Sequence, residues 1–89
     1  MNGKDLAERD ADFVRELHEE LAYARRKFPS QARDILFKAL VEEVGEVSRA
    51  MLEKWSPTLI RGELVQVAAV AARLAAECEF EAPAGESVA

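Results

Sequence analysis

The sequence has few of the residues that interrupt regular structure or cross-link chains. Its 89 residues include one cysteine, three prolines and four glycines. The single cysteine, Cys78, excludes an internal disulfide framework and favours a reducing compartment. The most apolar run, residues 64–76, contains Gln66 and Arg73 and is too short to span a bilayer. Because the N-terminal residues also lack the apolar run of a signal peptide, we expect a cytoplasmic protein with no membrane partner.

Basic residues are fewer than acidic residues. Twelve lysines and arginines oppose seventeen acidic residues, which gives a net charge of −5 and an isoelectric point near 4.9. A nucleic-acid backbone would be repelled by this balance, so nucleic acid is excluded as a direct partner. The hydrophobic content of 49% is typical of a folded protein. The length allows one small domain, whose modest core a bound ligand or a partner subunit would help to stabilise.

Apolar residues recur at three- and four-residue intervals, which is typical of helices, and the alternation of β-strands is absent. The first predicted helix follows an N-cap at Asp5 and ends before Pro29. The second follows an N-cap at Ser30 and ends near residue 54. Ser56 and Pro57 have the pattern of an N-cap and a first helical residue, so a third helix continues from there to about residue 80. The sequence therefore predicts an all-α fold, a helical hairpin preceded by an N-terminal helix.

The third predicted helix is apolar on almost every side, with only Gln66 and Arg73 as polar residues over 64–76. Two neighbouring helices of one short chain can hardly cover such a helix, and the alternative is an alanine-rich helix that stays half exposed. We therefore expect a homodimer or homotetramer in which the subunits complete a four-helix-type bundle. Arg73 is expected to enter a site or an interface. The helical domain is predicted over residues 1–80, followed by a flexible tail over residues 81–89.

Acidic side chains lie on the apolar stripes of the second and third predicted helices. Glu43 has apolar residues three positions before and four positions after it, Glu46 continues its row, and Glu63 lies on a similar stripe. Carboxylates there are costly unless they are paired or bound to a metal. At about 1.5 Å of rise per residue, antiparallel helices bring these groups and Gln66 within one or two turns of one another. Such a set of oxygen atoms is suited to Mg²⁺ or Mn²⁺.

These residues also form two motifs. The segment Glu42-Glu43-Val44-Gly45-Glu46 matches Glu-Glu-x-x-Glu, and Glu63-Leu64-Val65-Gln66 matches most of a following Glu-x-x-Asp. In motifs and helix order, the chain from about residue 30 to 77 resembles the MazG-like nucleotide pyrophosphohydrolases of the all-α NTP pyrophosphohydrolase superfamily. The resemblance implies Mg²⁺-dependent hydrolysis of nucleoside triphosphates to monophosphates and pyrophosphate, by dimers or tetramers that remove aberrant nucleotides.

Carried over by motif position, the resemblance makes Glu43, Glu46 and Glu63 ligands of Mg²⁺. It makes Glu42 a ligand of a second ion or the base that activates water. Gln66 stands where the family has aspartate; its amide oxygen can bind a hard cation but supplies no negative charge and accepts no proton. Four basic residues flank the acidic cluster and are candidate contacts for the substrate's phosphates: Lys38, Arg49, Lys54 and Arg61.

Two functions fit these residues. The first is a Mg²⁺-dependent nucleoside triphosphate pyrophosphohydrolase. The second is a catalytically weak or inactive oligomer of the same fold that binds nucleotides or another protein, and Gln66 and the short chain favour it. Release of pyrophosphate from a panel of triphosphates distinguishes the two.

Overall fold

The computed structural model describes residues 3–82 and residue 85, and these residues contain helices and no strand. The helices are α1 (Leu6–Lys27), α2 (Arg33–Leu52) and α3 (Pro57–Glu77). The all-α prediction is confirmed. Within the described residues, no helix combines the length and the apolarity needed to cross a bilayer. Residues 81 and 82 of the predicted tail have no regular structure, and the tail beyond them, apart from residue 85, lies outside the described residues.

Two of the three predicted N-caps are confirmed. The side chains of Asp5 and Ser56 each accept a hydrogen bond from the backbone N–H three residues later, at 2.9 and 3.3 Å. The prediction for Ser30 is wrong, because α2 begins at Arg33 with Ala32 as its N-cap. Ser30 has a φ of 55°, a left-handed conformation that differs from the extended backbone of an N-cap residue. The loop between α1 and α2 is therefore longer than the sequence predicted.

A Schellman motif ends α2 and begins the turn into α3. The N–H of Trp55 donates to the carbonyl oxygen of Ala50 at 2.9 Å, and the N–H of Lys54 donates to that of Met51 at 3.3 Å. Lys54 has the left-handed φ, 57°, that this motif requires at its position. The connection between the helices is only four residues long, so α2 and α3 form the predicted antiparallel hairpin.

The central helix is α3. It packs against α2 on one side and against α1 on another, whereas no Cα atom of α1 lies within 8 Å of a Cα atom of α2. The core is accordingly small, and its buried apolar side chains are Leu21, Leu36, Ala50, Val65 and Ala69. A gap is left between α1 and α2, with α3 as its floor.

An ion-pair cluster closes one end of this gap. Arg73 of α3 is only 4% exposed and donates from Nε and Nη2 to the carboxylate of Glu77 at 2.9 and 3.0 Å. Its Nη2 also donates to the carbonyl oxygen of Phe28 at 2.6 Å, and Arg25 of α1 donates to Glu77 at 2.9 Å. Hydrogen bonds from Arg73 and then Arg25 lower the pKa of Glu77 to about 2. These contacts fasten the end of α1 to the last turn of α3.

Candidate functional site

Glu43 of α2 faces Glu63 of α3 across the interface between the two helices. Both residues are partly buried, and their carboxyl groups are close enough for a hydrogen bond when one of them is protonated. Burial raises the pKa of Glu43, and the negative charges of Glu63, Glu46 and Glu42 raise this pKa further. The hairpin thus brings together two of the carboxyl groups that the sequence pattern placed on facing stripes.

Glu46 lies one turn further along α2, and its carboxylate points toward a basic residue of the same helix. The distance from its Oε1 to Nη1 of Arg49 is 3.8 Å. Glu42 is exposed on the adjoining surface. Among residues 3–82 and 85, no three His, Cys, Asp or Glu side chains converge into a group that could hold a metal ion as they stand. A site with three carboxylates therefore requires a different rotamer of Glu46, one directed toward Glu43.

A cavity of about 210 Å³ lies between α1 and α2, directly beside Glu43. Most of its lining is apolar and includes Tyr23, Phe28, Ile35, Leu36 and Val70. Its polar lining includes Glu43, Gln66 and Arg73. Cavities of about 150 Å³ bind benzene, so this one is large enough for a small ring-containing ligand. An apolar cavity with a few polar groups on its wall is the common form of a small-molecule site.

The structure adds Glu20 of α1 to the residues predicted from the sequence, because Glu20 lines the same cavity. It belongs to the row Phe13, Leu17, Glu20 and Ala24, which otherwise forms the apolar face of α1. An acidic residue on an apolar row is the signal that identified Glu43, and the same signal is present at Glu20. Arg73, expected in a site or an interface, also lines this cavity.

Three of the predicted phosphate contacts lie along α2 and its C-terminal turn. Lys38 is exposed, one turn before Glu42. Arg49 lies next to Glu46, while Lys54 is exposed at the tip of the hairpin. At 3.6 residues per turn, Lys38 and Arg49 share the flank of α2 that carries Glu42. Lys38 and Arg49 therefore lie beside Glu42, and Arg49 also lies beside Glu46.

Arg61, the fourth basic candidate, is engaged elsewhere. It is two residues before Glu63, which puts the two side chains on opposite sides of α3. Its guanidinium group forms an ion pair with Glu16 of α1 and lies 5.7 Å from the centre of the Phe13 ring. The structure uses Arg61 to attach α1 to α3 and does not bring it to the carboxylates.

Exchange of Glu43 for glutamine is expected to raise the free energy of unfolding at neutral pH when divalent cations are removed with a chelator. The raised pKa means that folding disfavours the ionised carboxylate, a penalty that the neutral amide avoids. The gain in free energy of unfolding should shrink as the pH falls through the raised pKa of Glu43 and be absent below the ordinary value of 4.5. Urea unfolding of the variant and of the unmodified protein at several pH values measures this difference. Glu42→Gln, an exposed neighbour on the same helix, is the control, and an equal gain in both variants would contradict the prediction.

Comparison with family models, with curated proteins and with solved structures finds no match to this chain. Support for a function therefore comes from the side chains of the site and from the motifs that they form.

Proposed function

We propose that this protein is a Mg²⁺-dependent nucleoside triphosphate pyrophosphohydrolase, as its motifs imply by their resemblance to the MazG-like family. The observation that carries the proposal is the pair Glu43 and Glu63, two carboxyl groups within hydrogen-bond reach of each other, of which Glu43 lines the cavity. Two carboxylates in contact on neighbouring helices oppose folding when both are charged. Such a pair is favourable when a divalent cation neutralises it.

The donor atoms on these helices fit a hard divalent cation. Glu43 and Glu63 supply carboxylate oxygens, Gln66 supplies an amide oxygen one turn from Glu63, and Glu46 supplies a further carboxylate after the rotamer change. The set contains no histidine and no cysteine, which favours Mg²⁺ or Mn²⁺ over softer metals. When bound, the cation supplies positive charge that attracts the triphosphate and polarises its phosphorus–oxygen bonds.

The surroundings of the pair suit a nucleotide. The cavity adjoins Glu43 and is lined by aromatic and aliphatic side chains, which favours the organic part of the substrate. Lys38 and Arg49 lie on the flank of α2 beside Glu42, where they can contact phosphate oxygens. For Arg49 this contact competes with its ion pairs to Glu46 and Glu53, at 3.8 and 3.3 Å.

In the proposed reaction, a water oxygen forms a bond to the α-phosphorus of the triphosphate. The bond from that phosphorus to the oxygen bridging toward the β-phosphorus breaks, and pyrophosphate leaves with the bridging oxygen. Glu42, whose carboxylate is exposed beside the pair, accepts the proton that the water loses. The products are a nucleoside monophosphate and pyrophosphate.

We also propose that the protein is a homodimer or homotetramer in which the hairpins of different subunits complete a four-helix-type bundle. The oligomer is supported by the small core of the single chain and by the many large apolar side chains that stay exposed. We propose that this oligomer acts in the cytoplasm on aberrant nucleotides. A single cysteine is consistent with a reducing compartment.

The direct test is to incubate the purified protein with a panel of ribo- and deoxyribonucleoside triphosphates and Mg²⁺. We expect monophosphate and pyrophosphate in equal amounts from at least one triphosphate, and no product in a parallel reaction with a chelator. A contaminating phosphatase is recognised because it releases inorganic phosphate and leaves a diphosphate.

The opposite outcome is absence of pyrophosphate across the panel from a protein whose helical content is intact. That outcome would contradict the hydrolase. If Mg²⁺ still raised the melting temperature of the protein, the metal site would stand. The chain would then act as a catalytically inactive nucleotide-binding or protein-binding oligomer, a function favoured by the amide of Gln66 in place of a carboxylate.

A further inference from the structure

Arg73 has a nitrogen atom that no described residue uses. Its Nε and Nη2 donate to Glu77, and Nη2 also donates to the carbonyl oxygen of Phe28, but Nη1 donates to no atom of residues 3–82 and 85. In this part of the chain every fully buried side-chain nitrogen and oxygen has a hydrogen-bond partner, so Nη1 is not sealed inside the protein. Arg73 is 4% exposed and lines the cavity. We therefore place the two unused N–H groups of Nη1 at the cavity wall.

Glu20 of α1 brings a carboxylate without a partner to the same cavity. It is partly buried and lines the cavity. The carboxylates of Glu16 and Glu19 on the same helix form ion pairs with arginines, whereas Glu20 forms none within the described part of the chain. It also does not converge there with two further side chains that could ligate a metal ion. A partly buried carboxylate of this kind is favourable when a ligand donates a hydrogen bond to it.

The cavity has the size and the lining of a site for one ring system. Its volume of about 210 Å³ exceeds the roughly 150 Å³ that holds benzene. The aromatic rings of Tyr23 and Phe28 form part of its wall, and flat rings pack well against such side chains. Because Arg73 and Glu20 line the same small cavity, a single ring system can contact both of them.

The two polar groups require opposite partners on that ring. A guanidinium group only donates hydrogen bonds, and an ionised carboxylate only accepts them. The complementary ring therefore carries a carbonyl oxygen for Arg73 and an N–H group for Glu20. Guanine, hypoxanthine, uracil and thymine have these two groups side by side. Adenine and cytosine have an amino group in place of this oxygen and a bare ring nitrogen in place of this N–H, so their pattern is reversed.

We infer that the cavity selects nucleobases with a carbonyl oxygen beside a ring N–H, with Arg73 donating to the oxygen and Glu20 accepting from the N–H. The ring is a nucleobase by the proposed function, on which this inference rests; the inference adds the class of base and the two residues that determine it. The bonds from Arg73 to Glu77 and Phe28 hold the guanidinium group in one orientation before the ligand binds.

The experiment measures the binding of nucleosides to the unmodified protein with a chelator present, so that neither a metal ion nor hydrolysis contributes. Inosine and adenosine are compared by ligand-observed NMR titration, because their bases differ only at position 6 and at N1. We expect inosine to bind about 10-fold more tightly or better, since adenosine leaves both protein groups without a partner. Uridine and cytidine should differ in the same direction.

Exchange of Glu20 for glutamine tests the residue on α1. The amide can donate to the bare ring nitrogen of adenine as well as accept from the N–H of hypoxanthine. The preference for inosine over adenosine should therefore fall several-fold in Glu20→Gln. Glu19→Gln, the same change at an exposed position of α1, is the matched control and should keep the full preference.

The contact of Arg73 is tested without changing the protein, because substitution of this nearly buried residue can prevent folding. In 6-thioinosine a sulfur atom replaces the oxygen while N1–H stays, and sulfur is a weak acceptor. We expect 6-thioinosine to bind more weakly than inosine, both to the unmodified protein and to Glu20→Gln.

Three results would overturn the inference. They are equal binding of inosine and adenosine to the unmodified protein, a full preference for inosine in Glu20→Gln, and equal binding of 6-thioinosine and inosine. Failure of the proposed function is distinguishable from these results. A protein that prefers inosine but releases no pyrophosphate keeps the base site and loses the hydrolase, whereas equal pyrophosphate release from all triphosphates keeps the hydrolase and removes the base selection.

Discussion

Exchange of Glu63 for glutamine should reduce pyrophosphate release about 100-fold or more, the scale of effect seen when one electrostatic contact at a reacting group is removed. Glu63 is the member of the pair that α3 supplies, and its carboxyl group is close enough to raise the pKa of Glu43. Glutamine keeps the shape of the side chain but removes the charge that attracts a divalent cation. Initial rates of pyrophosphate formation at saturating Mg²⁺ and triphosphate measure the effect.

The same variant has a readout that does not depend on catalysis. A cation that binds the folded state alone raises the melting temperature, and a gain of 1 kcal/mol corresponds to roughly 4–8 °C in a domain of this size. We expect millimolar Mg²⁺ to raise the melting temperature of the unmodified protein, and of Glu19→Gln, by several degrees. Glu19 is an exposed carboxylate of α1 paired with Arg15. A full Mg²⁺ shift in Glu63→Gln would remove Glu63 from the metal site.

Exchange of Glu77 for glutamine should lower the free energy of unfolding by about 2 kcal/mol, because it leaves a nearly buried guanidinium group without its carboxylate. Arg73 donates to both oxygens of Glu77 and is 4% exposed. Arg25 loses its partner in the same substitution. Urea unfolding at neutral pH measures the loss.

The pH dependence of this loss has a definite direction. The pKa of Glu77 is about 2 in the folded protein because of its hydrogen bonds to Arg73 and Arg25, and its ordinary value is 4.5. A lowered pKa contributes stability that is complete above pH 4.5 and is lost as the pH falls toward 2. The difference between the unmodified protein and Glu77→Gln should therefore be largest at neutral pH and should narrow through this acidic window.

Glu19→Gln is the control here as well. Its ion pair with Arg15 spans 3.1 Å, but both side chains are more than half exposed, and exposed pairs of this kind contribute about 0.5 kcal/mol or less. If the two variants lost the same amount of stability, the cluster at Arg73 would not fasten α1 to α3 as the contacts indicate.

Local signals in the sequence predicted most of the helix boundaries. Asp5 and Ser56 cap α1 and α3 as expected, because an N-cap depends only on a side chain and the N–H three residues later. Ser30 shows the limit of this reasoning. It is an acceptable cap residue by type, yet the loop gives it a left-handed φ and α2 begins three residues later.

The candidate site was predicted only in part, for a similar reason. Helical spacing put Glu43 and Glu63 on core-facing rows, and the hairpin brings them into contact. A flanking position in the sequence made Arg61 a candidate phosphate contact, whereas the structure pairs it with Glu16 of α1. Nearness in the sequence does not determine on which side of a helix a residue lies. It therefore does not determine whether the residue reaches a site formed by three helices.

The sequence by itself determined the number of helices, most of their ends and the rows on which acidic and apolar side chains lie, because these depend on interactions within four residues along the chain. Only the tertiary structure decided that α3 lies in the centre, that α1 and α2 stay apart and that Glu20 joins Glu43 at the cavity between them. It also decided which apolar row of α2 is left exposed. These features follow from the rotation of each helix about its axis and from its choice of neighbours, which packing between residues distant in the chain sets.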